Sequence, residues 1–373
     1  MKRTALNKIH KEMGAKMVEF AGFEMPLYYK GIRVEHLAVR KSVGIFDVSH
    51  MGNIIVKGKD CAKFLGYVTP TNIEKLNIGD CVYTAFLNEN GIIVDDTIIS
   101  RFSENSFLVV PNAATTERIH EYLKSKSENF SVEIENVSSE FSIIAIQGPC
   151  SLNLFRDVFS EEPPNRFKLK FYKYKSFESF TSEVFVSGTG YTGEVGVEVM
   201  VKNEYAEELW KELLDKGKRY SVEPCGLGAR DTLRMEKGML LSGQDFHPEH
   251  LPKTPLEAGL TWIIDFDHDF LGKDILYNMK KEKKYNLFRG FVCEGRRAPR
   301  HGFDVYSEDG EKIGIVTSGT HSPSLNIPIG LGYVRRGYHK PGTKVIIKGG
   351  RAEIPAEIRK PKLLPEEEKG CPF

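Results

Sequence analysis

Apolar and polar residues alternate along several segments of this chain, and one predicted strand carries two acids among its apolar side chains. Asn90 and Gly91 predict a hairpin turn, because both residues tolerate positive φ. Over residues 92–99, which follow the turn, alternation predicts two largely apolar faces, one with Asp96 and the other with Asp95. The strand is therefore predicted to be buried on both sides. A carboxyl group in such a place must accept hydrogen bonds or take up a proton.

The strand before the turn is the predicted partner of this acidic strand. If residues 88–91 form the loop, Tyr83 lies opposite Asp96 on one face of the sheet. A slip of one residue would pair Tyr83 with Asp95 instead. A hydrogen bond between the phenol and the carboxylate could satisfy the core or belong to a functional site, and the pattern leaves both interpretations open.

Periodicity and turn residues predict a mixture of helices and strands. The end of the chain, residues 365–373, is predicted to be a loose tail. From about residue 286, short strands alternate with glycine, proline and asparagine turns, which is typical of a small β-barrel or sandwich. A loop rich in glycine, proline and aromatic residues is predicted over 20–29. Helices are predicted near residues 5–17, 33–42, 60–67, 113–127, 203–216 and 229–241.

Composition narrows the classes of function. A length of 373 residues suggests two or three domains. The 52 basic and 51 acidic residues nearly balance, so we expect no bulk attraction to nucleic acid or to a membrane surface. No apolar run approaches the roughly 18 residues that span a bilayer, and no secretion signal is recognised at the N-terminus. We therefore expect a cytoplasmic protein.

The cysteines and histidines show no metal-binding pattern. The six cysteines are scattered and none forms a Cys-x-x-Cys pair, which predicts reduced thiols and neither a zinc site nor a disulfide framework. The ten histidines show no His-x-x-x-His or His-Glu-x-x-His spacing. Metal catalysis is therefore not expected.

Residues 188–193 match G-x-G-x-x-G, the spacing of a dinucleotide-binding turn. Such a site requires a helix to open at the last glycines. Here Val195, Val197, Val199 and Val201 alternate with other residues and predict a strand instead. The motif is therefore predicted to be a hairpin turn. No P-loop sequence occurs either, so a nucleotide cofactor is not expected.

Side chains around this turn have two interpretations each. The turn presents Tyr191, and Glu198 lies on the strand face opposite the valines. Glu198 either faces water or projects into a cavity, where Gly196 and Met200 on the same face suit the close approach of a flat ligand. His50, beside a predicted strand start, is interpreted as a hydrogen-bonded structural residue without a role in proton transfer.

Residues 226–236 begin a helix with two arginines on one face. Arg230 and Arg234 are four residues apart, and cations in the first turns oppose the helix dipole. One interpretation is salt bridging to Asp231, Glu236 or a neighbour. The other is a fork for a ligand carboxylate. The sequence favours neither.

Seven motifs occur in the order, and near the spacing, of one known family. They are Glu-Met-Pro-Leu-Tyr-Tyr at 24–29, the segment 38–52 ending in Val-Ser-His-Met-Gly, Asn-Glu-Asn-Gly and the two aspartates at 88–96, Gln-Gly-Pro at 147–149, Thr-Gly-Tyr-Thr-Gly-Glu at 189–194, Gly-Leu-Gly-Ala-Arg-Asp-Thr-Leu-Arg-Met-Glu at 226–236 and the serines and threonines of 317–323. Through them the chain resembles the T-protein family of the glycine cleavage system, from about residue 3 to residue 362. The full set is specific, whereas each motif alone is weak.

The resemblance implies an α+β fold in which three mixed α/β domains form a cloverleaf around a central tetrahydrofolate cavity. The implied domains are a discontinuous one of residues 1–55 and 140–250, an inserted one of 56–139, a connector of 251–285 and a C-terminal β-barrel domain of 286–373. The implied activity moves an aminomethyl group from the lipoyl arm of H-protein to tetrahydrofolate. Its products would be 5,10-methylenetetrahydrofolate, ammonia and dihydrolipoyl H-protein, with no metal required.

The family's site residues transfer to seven positions of this sequence. Asp96 would be catalytic, because it would bind and orient N10 of tetrahydrofolate and assist proton movement as N10 attacks. Glu198 would suit the N–H groups of the pterin, and Arg230 would suit the anionic tail. The implied binding residues are Met51, Tyr83, Asn112, Tyr191, Glu198 and Arg230.

Three positions depart from the family pattern. Phe23 stands where a tryptophan is usual, His321 stands where a phenylalanine is common, and residues 243–256 form a segment about three residues longer than usual. The last two could alter the donor. A tetrahydrofolate-dependent demethylase or methyltransferase that uses a small methyl donor therefore stays open, as does a folate-binding scaffold without turnover.

Overall fold

The structure is a computed structural model that describes residues 1–175, 181–365 and 370–373. The predicted helix at 5–17 is too long, because Gly14 has a φ of 77° and ends it. The predicted loop at 20–29 is wrong, since most of it forms the second strand of a hairpin that turns at Ala21 and Gly22. The elements of this segment are α1 (Asn7–Glu12), β1 (Lys16–Phe20), β2 (Phe23–Tyr28), α2 (Ile32–Lys41) and β3 (Gly44–Asp47).

A five-stranded antiparallel sheet follows, with two helices packed on it. The segment contains β4 (Ile54–Lys57), α3 (Cys61–Val68), β5 (Cys81–Leu87), β6 (Ile93–Ser103), β7 (Ser106–Pro111), α4 (Thr116–Lys126) and β8 (Glu133–Asn136). The strand order is β5-β6-β7-β4-β8. Phe64 of α3 and Ile119 of α4 belong to the buried apolar cluster that joins both helices to the sheet.

The hairpin that carries the two acids has the predicted burial but not the predicted register. Residues 93–97 are all buried, which confirms a strand covered on both sides. The loop is one residue longer than predicted and is held by the side chain of Asn88, and a bulge after Phe86 adds a second residue. The predicted pairing of Tyr83 with Asp96 is therefore wrong by two residues, although a shift of two keeps both side chains on one face. The observed pairs are Tyr83 with Ile98, Ala85 with Asp96 and Leu87 with Ile93.

The chain then returns to the sheet that β3 belongs to. This segment contains β9 (Phe141–Gln147), α5 (Ser151–Phe159), β10 (Leu169–Lys175), β11 (Thr181–Ser187), β12 (Gly196–Lys202), α6 (Asn203–Lys216), β13 (Glu223–Cys225) and α7 (Leu227–Glu236). The strand order is β10-β11-β12-β9-β3-β13. Strands β11 and β12 are antiparallel, so the glycine-rich motif is a turn between two strands and not the start of a helix, as predicted.

The C-terminal part is a closed six-stranded barrel preceded by one helix. It contains α8 (Lys273–Glu282), β14 (Leu287–Cys293), β15 (Asp304–Tyr306), β16 (Lys312–Ser322), β17 (Ile327–Val334), β18 (Lys344–Gly349) and β19 (Ala352–Arg359). The strands close in the order β14-β17-β16-β15-β18-β19. The predicted class of mixed helices and strands with a C-terminal β-barrel is confirmed, whereas the domain boundaries stay a prediction.

The cysteine prediction is wrong for one pair. Cys150, at the start of α5, and Cys371 form a disulfide across 221 residues of sequence, a pairing that spacing alone does not reveal. The other four cysteines are buried and free. Residues 366–369 of the predicted loose tail lie outside the described residues, but Cys371 is attached through this bond to the six-stranded sheet's domain.

Candidate functional site

One cavity of about 2280 Å³ is lined by residues from both sheets, from α7 and from the barrel strands β14 and β16. Its wall contains every residue that the sequence predicted for the site: Met51, Tyr83, Asp96, Asn112, Tyr191, Glu198 and Arg230. The fold therefore brings together positions that are up to 179 residues apart in the chain. What each residue does to a ligand stays a prediction.

Asp96 lies in the cavity wall with 8% of its surface exposed. Tyr83 Oη donates to its Oδ2 over 2.7 Å, and Asn112 Nδ2 donates to its Oδ1 over 2.7 Å. The phenol reaches the acid diagonally across the hairpin, as long side chains two positions apart in register can do. The predicted hydrogen bond is therefore present although the predicted pairing is not.

Asp96 is a group that can exchange a proton near neutral pH. Burial raises its pKa to about 7, and the neighbouring Asp95 adds to the increase, whereas the hydrogen bonds from Tyr83 and Asn112 oppose it. Burial and the nearby Asp96 also raise the pKa of Tyr83 well above its usual range. The phenol consequently keeps its proton and acts as a hydrogen-bond donor.

Arg230 lines the cavity from α7 and lies against one aromatic ring. Its guanidinium carbon lies 4.6 Å from the centre of the Tyr191 ring. No other described residue forms an ion pair or hydrogen bond with its side chain. Burial lowers the pKa of Arg230 and the charge of Glu198 opposes that change, but a guanidinium remains charged throughout the ordinary pH range. The cavity thus contains a half-buried cation that suits an anionic ligand group.

Arg234, one helical turn later, has no exposed surface and is fully engaged. It donates to Asp245 over 2.7 Å, to Asp231 over 2.8 Å and to Ser318 over 2.9 Å. Salt bridging is therefore the correct interpretation for Arg234, whereas Arg230 is the arginine left to face a ligand.

Glu198 and Tyr191 border the same part of the cavity. Glu198 is half-buried and accepts a hydrogen bond from Thr189, so it does not point into bulk water. Tyr191 Oη donates to the carbonyl oxygen of Leu240, which fixes the ring beneath Arg230. Packing explains why residue 196 is a glycine, because a Cβ there would lie 2.4 Å from the carbonyl oxygen of Ile146. Its small size is thus required by the adjacent strand.

His50 differs from the expectation of a hydrogen-bonded structural residue. It is 4% exposed and lines the cavity, and its Nδ1 has no hydrogen-bond partner in the described chain. Its ring packs edge-on against Phe20 at 5.6 Å and, less closely, against Phe23 at 6.5 Å. Burial lowers the pKa of His50 to about 4, and Arg230 adds to the decrease. The imidazole is therefore neutral at pH 7.

Trp262 was missed by the sequence reasoning. It is 64% exposed, lines the cavity and stacks on Tyr83 with ring centres 5.6 Å apart. The signal was present, since Trp262 is one of only two tryptophans in the chain and follows a glycine-containing turn. Large exposed aromatic rings on the wall of a cavity are typical of ligand-binding surfaces.

Of the three departures from the family pattern, only the longer segment contributes a residue to the cavity wall. Gln244 of the longer segment lines it, but the following Asp245 is buried and serves Arg234. His321 is not among the lining residues and lies beside Arg296 and Arg300 in a separate, smaller cavity. Phe23 packs against His50.

Comparison with known proteins identifies the class. The family model for the GCVT N-terminal domain matches residues 6–268, and that for the glycine cleavage T-protein C-terminal barrel domain matches residues 287–364. The chain is 41% identical to an aminomethyltransferase of Pseudothermotoga lettingae, with 89% of both chains covered. It is 39% identical to an aminomethyltransferase of Flavobacterium psychrophilum, with 96% of this chain and 98% of the relative covered.

A solved structure agrees with these sequence matches. The crystal structure of glycine cleavage system aminomethyltransferase T from Bartonella henselae superposes with a TM-score of 0.89, at 30% identity and with 99% of both chains covered. The fold and these matches define a transferase of mixed helices and strands with a C-terminal barrel. The chain belongs to the glycine cleavage T-protein family, which confirms the predicted family and enzyme class.

Two further observations concern membranes and metals. Among the described residues, no helix is long and apolar enough to cross a membrane. In the same part of the chain, no three His, Cys, Asp or Glu side chains are grouped so that they could hold a metal ion.

Proposed function

We propose that this protein transfers an aminomethyl group from the lipoyl arm of H-protein to tetrahydrofolate. The products are 5,10-methylenetetrahydrofolate, ammonia and dihydrolipoyl H-protein. The observation that carries the proposal is the pairing, in one cavity, of a proton-exchanging Asp96 with an unpartnered Arg230. The family membership supports the same activity.

The chemistry of tetrahydrofolate suits this cavity. Its pterin is flat with a donor-rich edge, so Glu198 would accept hydrogen bonds from the amino and ring N–H groups. Its glutamate tail is anionic and would pair with Arg230. The rings of Tyr83 and Trp262 offer an apolar surface for the rest of the molecule. Met51, Asn112 and Tyr191 complete the proposed binding wall.

The reaction balances with Asp96 as the group that moves a proton. N10 attacks the methylene carbon as the bond from that carbon to the lipoyl sulfur breaks, and the sulfur leaves as a thiolate. Closure on N5 then expels ammonia. The two protons that N5 and N10 lose are the ones that the thiolate and the leaving amine gain. Asp96 accepts the proton from N10 and returns it to a leaving group, for which a pKa near 7 is well suited.

Positioning supplies the larger part of the proposed rate gain. Holding N10, N5 and the aminomethyl carbon in line is worth up to about 7–11 kcal/mol in ideal cases. The hydrogen bonds from Tyr83 and Asn112 keep Asp96 in one orientation toward that line. A strong base is not required, since the leaving amine takes up its own proton.

The test is an ammonia-release assay with tetrahydrofolate and H-protein that carries the aminomethyl group on its lipoyl arm. We expect ammonia and 5,10-methylenetetrahydrofolate in equal amounts, and neither when unloaded H-protein replaces the loaded form. Tetrahydrofolate binding without ammonia release would instead indicate a scaffold. Methyltetrahydrofolate formed from a small methyl donor without H-protein would indicate a demethylase. Either result would overturn the proposal.

A further inference from the structure

Asp95 lies next to Asp96 in β6, and the two carboxylates share one donor. Asn112 Nδ2 donates to Asp95 Oδ1 over 2.9 Å and to Asp96 Oδ1 over 2.7 Å. Asp95 has no exposed surface and is not part of the cavity wall. A second acid in this position cannot contact a ligand directly, but it is close enough to act on the acid that can.

The two acids differ in their hydrogen bonds. Asp95 accepts from Asn112 Nδ2, from the backbone N–H of Asn112 over 3.2 Å and from the hydroxyl of Thr115. Asp96 accepts from Asn112 Nδ2 and from Tyr83. Hydrogen bonds to the charged form of a carboxyl group favour that form, and Asp95 accepts the three named above whereas Asp96 accepts two. Burial raises the pKa of Asp95 as well, but the additional donor to Asp95 and the position of Asp96 in the cavity wall favour the charge on Asp95 and the proton on Asp96.

We propose that Asp95 is a positioning residue for Asp96: it holds the Asn112 amide against Asp96, and its charge makes Asp96 the member of the pair that takes up a proton. This inference rests on the proposed function for its role in catalysis. Like charges that share a site cannot both ionise easily, so the pair titrates as a unit. The raised pKa of Asp96 agrees with this arrangement.

The titratable groups around Asp96 come from three directions. Tyr83 approaches from β5, Tyr191 approaches from the glycine-rich turn, and Asp95 is adjacent in β6. Burial raises the pKa of both tyrosines, so they keep their protons in the pH range where Asp96 titrates. Asp95 is thus the nearby charge that a neutral substitution can remove.

The test follows the Asp96 carboxyl carbon by ¹³C NMR in the ligand-free, full-length protein. Asp95→Asn keeps the size of the side chain and removes its charge. We expect the titration midpoint of Asp96 to fall by about one pH unit or more. The low-pH limb of the turnover profile should move to lower pH by a similar amount. An unchanged Asp96 midpoint in folded Asp95→Asn would overturn the proposal. A purely structural role would lower turnover without moving the midpoint.

Asp95→Ser provides a second variant if Asp95→Asn does not fold. It also removes the negative charge beside Asp96, while its hydroxyl can still accept from Asn112, so the Asp96 midpoint should again fall. A midpoint that stays or rises would overturn the proposal. Because the titration uses no folate and no H-protein, it decides the inference even if the wild-type protein releases no ammonia, which would count against the proposed function alone.

Discussion

The two ends of helix α7 hold their arginines in opposite ways. At the C-terminal end, Arg234 is fully buried and bonded to Asp245, and the nearby Glu236 accepts from Arg40 over 3.0 Å. One turn earlier, Arg230 faces the cavity without an ion pair to any described residue. The same helix therefore contains one charge that the protein satisfies and one that it leaves unsatisfied.

Burial does not separate these two regions, because both exclude most of the solvent. The difference is whether each charged or polar group has a partner within the chain. An unpaired buried charge is costly, and proteins retain such costs mainly at functional sites. Asp96 is intermediate, since it has two neutral donors but no ion pair with a described residue, and its pKa is raised to about 7. Substitutions near Arg234 should therefore reduce stability, and substitutions in the cavity should reduce activity.

The largest expected effect is that of Asp96→Asn. Turnover should fall about a thousandfold or more, because the amide cannot accept the N10 proton. The thermal midpoint should stay the same or rise, since a desolvated acid with a raised pKa is removed. Ammonia release and thermal unfolding measure the two effects. Asp309→Asn, in an exposed turn of the barrel, is the matched control and should change neither. Wild-type turnover in Asp96→Asn would remove Asp96 from the mechanism.

The same change from aspartate to asparagine at Asp245, the partner of Arg234, should reduce stability. Asp245→Asn removes the buried charged partner of Arg234 and leaves only the partly exposed Asp231, and it weakens the acceptor used by Thr317 and Ser318. We expect a loss of roughly 3 kcal/mol in the free energy of unfolding. Turnover per folded molecule should stay within a few-fold of wild type. Denaturation monitored by circular dichroism tests the first part. A stable Asp245→Asn variant with low turnover would contradict the view that residues around Arg234 act on stability and cavity residues act on activity.

Arg230→Gln and Arg234→Gln form a second matched pair. Arg230→Gln should weaken tetrahydrofolate binding by about tenfold or more, because a hydrogen bond to a charged group contributes roughly 1.5–3 kcal/mol. Its stability should be unchanged or higher, since a half-buried cation without an ion pair to any described residue is removed. Arg234→Gln should show the opposite, with lower stability and near-normal affinity in the folded fraction. Anaerobic calorimetric titration measures the affinities. Equal losses of stability in both variants would contradict the assignment of Arg230 to a ligand.

Several features of the fold that depend on a short stretch of sequence were predicted correctly from the pattern of apolar and turn residues. The strand around Asp96 was predicted to be buried on both faces, and the glycine-rich turn was separated from a dinucleotide site by the valines that follow it. Regular turn spacing predicted a small barrel or sandwich, and the structure shows the barrel. The predicted register of the acidic hairpin was wrong, because periodicity reports neither the bulge after Phe86 nor the extra loop residue that the Asn88 side chain holds.

Features that depend on distant contacts could not be read from the sequence. The two arginines were indistinguishable until Asp245, 11 residues beyond Arg234, was seen to fill the space beside one of them. The disulfide joins residues 221 positions apart, and no spacing rule pairs them. His50 and Trp262 became cavity residues only through packing. The family resemblance supplied the site positions, because it encodes such contacts indirectly.

Tyr83→Phe should have the smallest effect on turnover, and the direction in which it moves the pH profile is the informative result. The phenol donates to Asp96 and stabilises its charged form, so its removal raises the pKa of Asp96 above about 7. If ionised Asp96 accepts the N10 proton, the low-pH limb of turnover should move to higher pH by less than about one unit. Turnover at pH 7 should then fall by less than about tenfold, and the loss should be recovered at pH 8. Asp95→Asn should move the same limb in the opposite direction, which separates loss of a donor from loss of a neighbouring charge. If protonated Asp96 were the active form instead, turnover would fall on the high-pH side of its midpoint, and Tyr83→Phe would move that high-pH limb to higher pH.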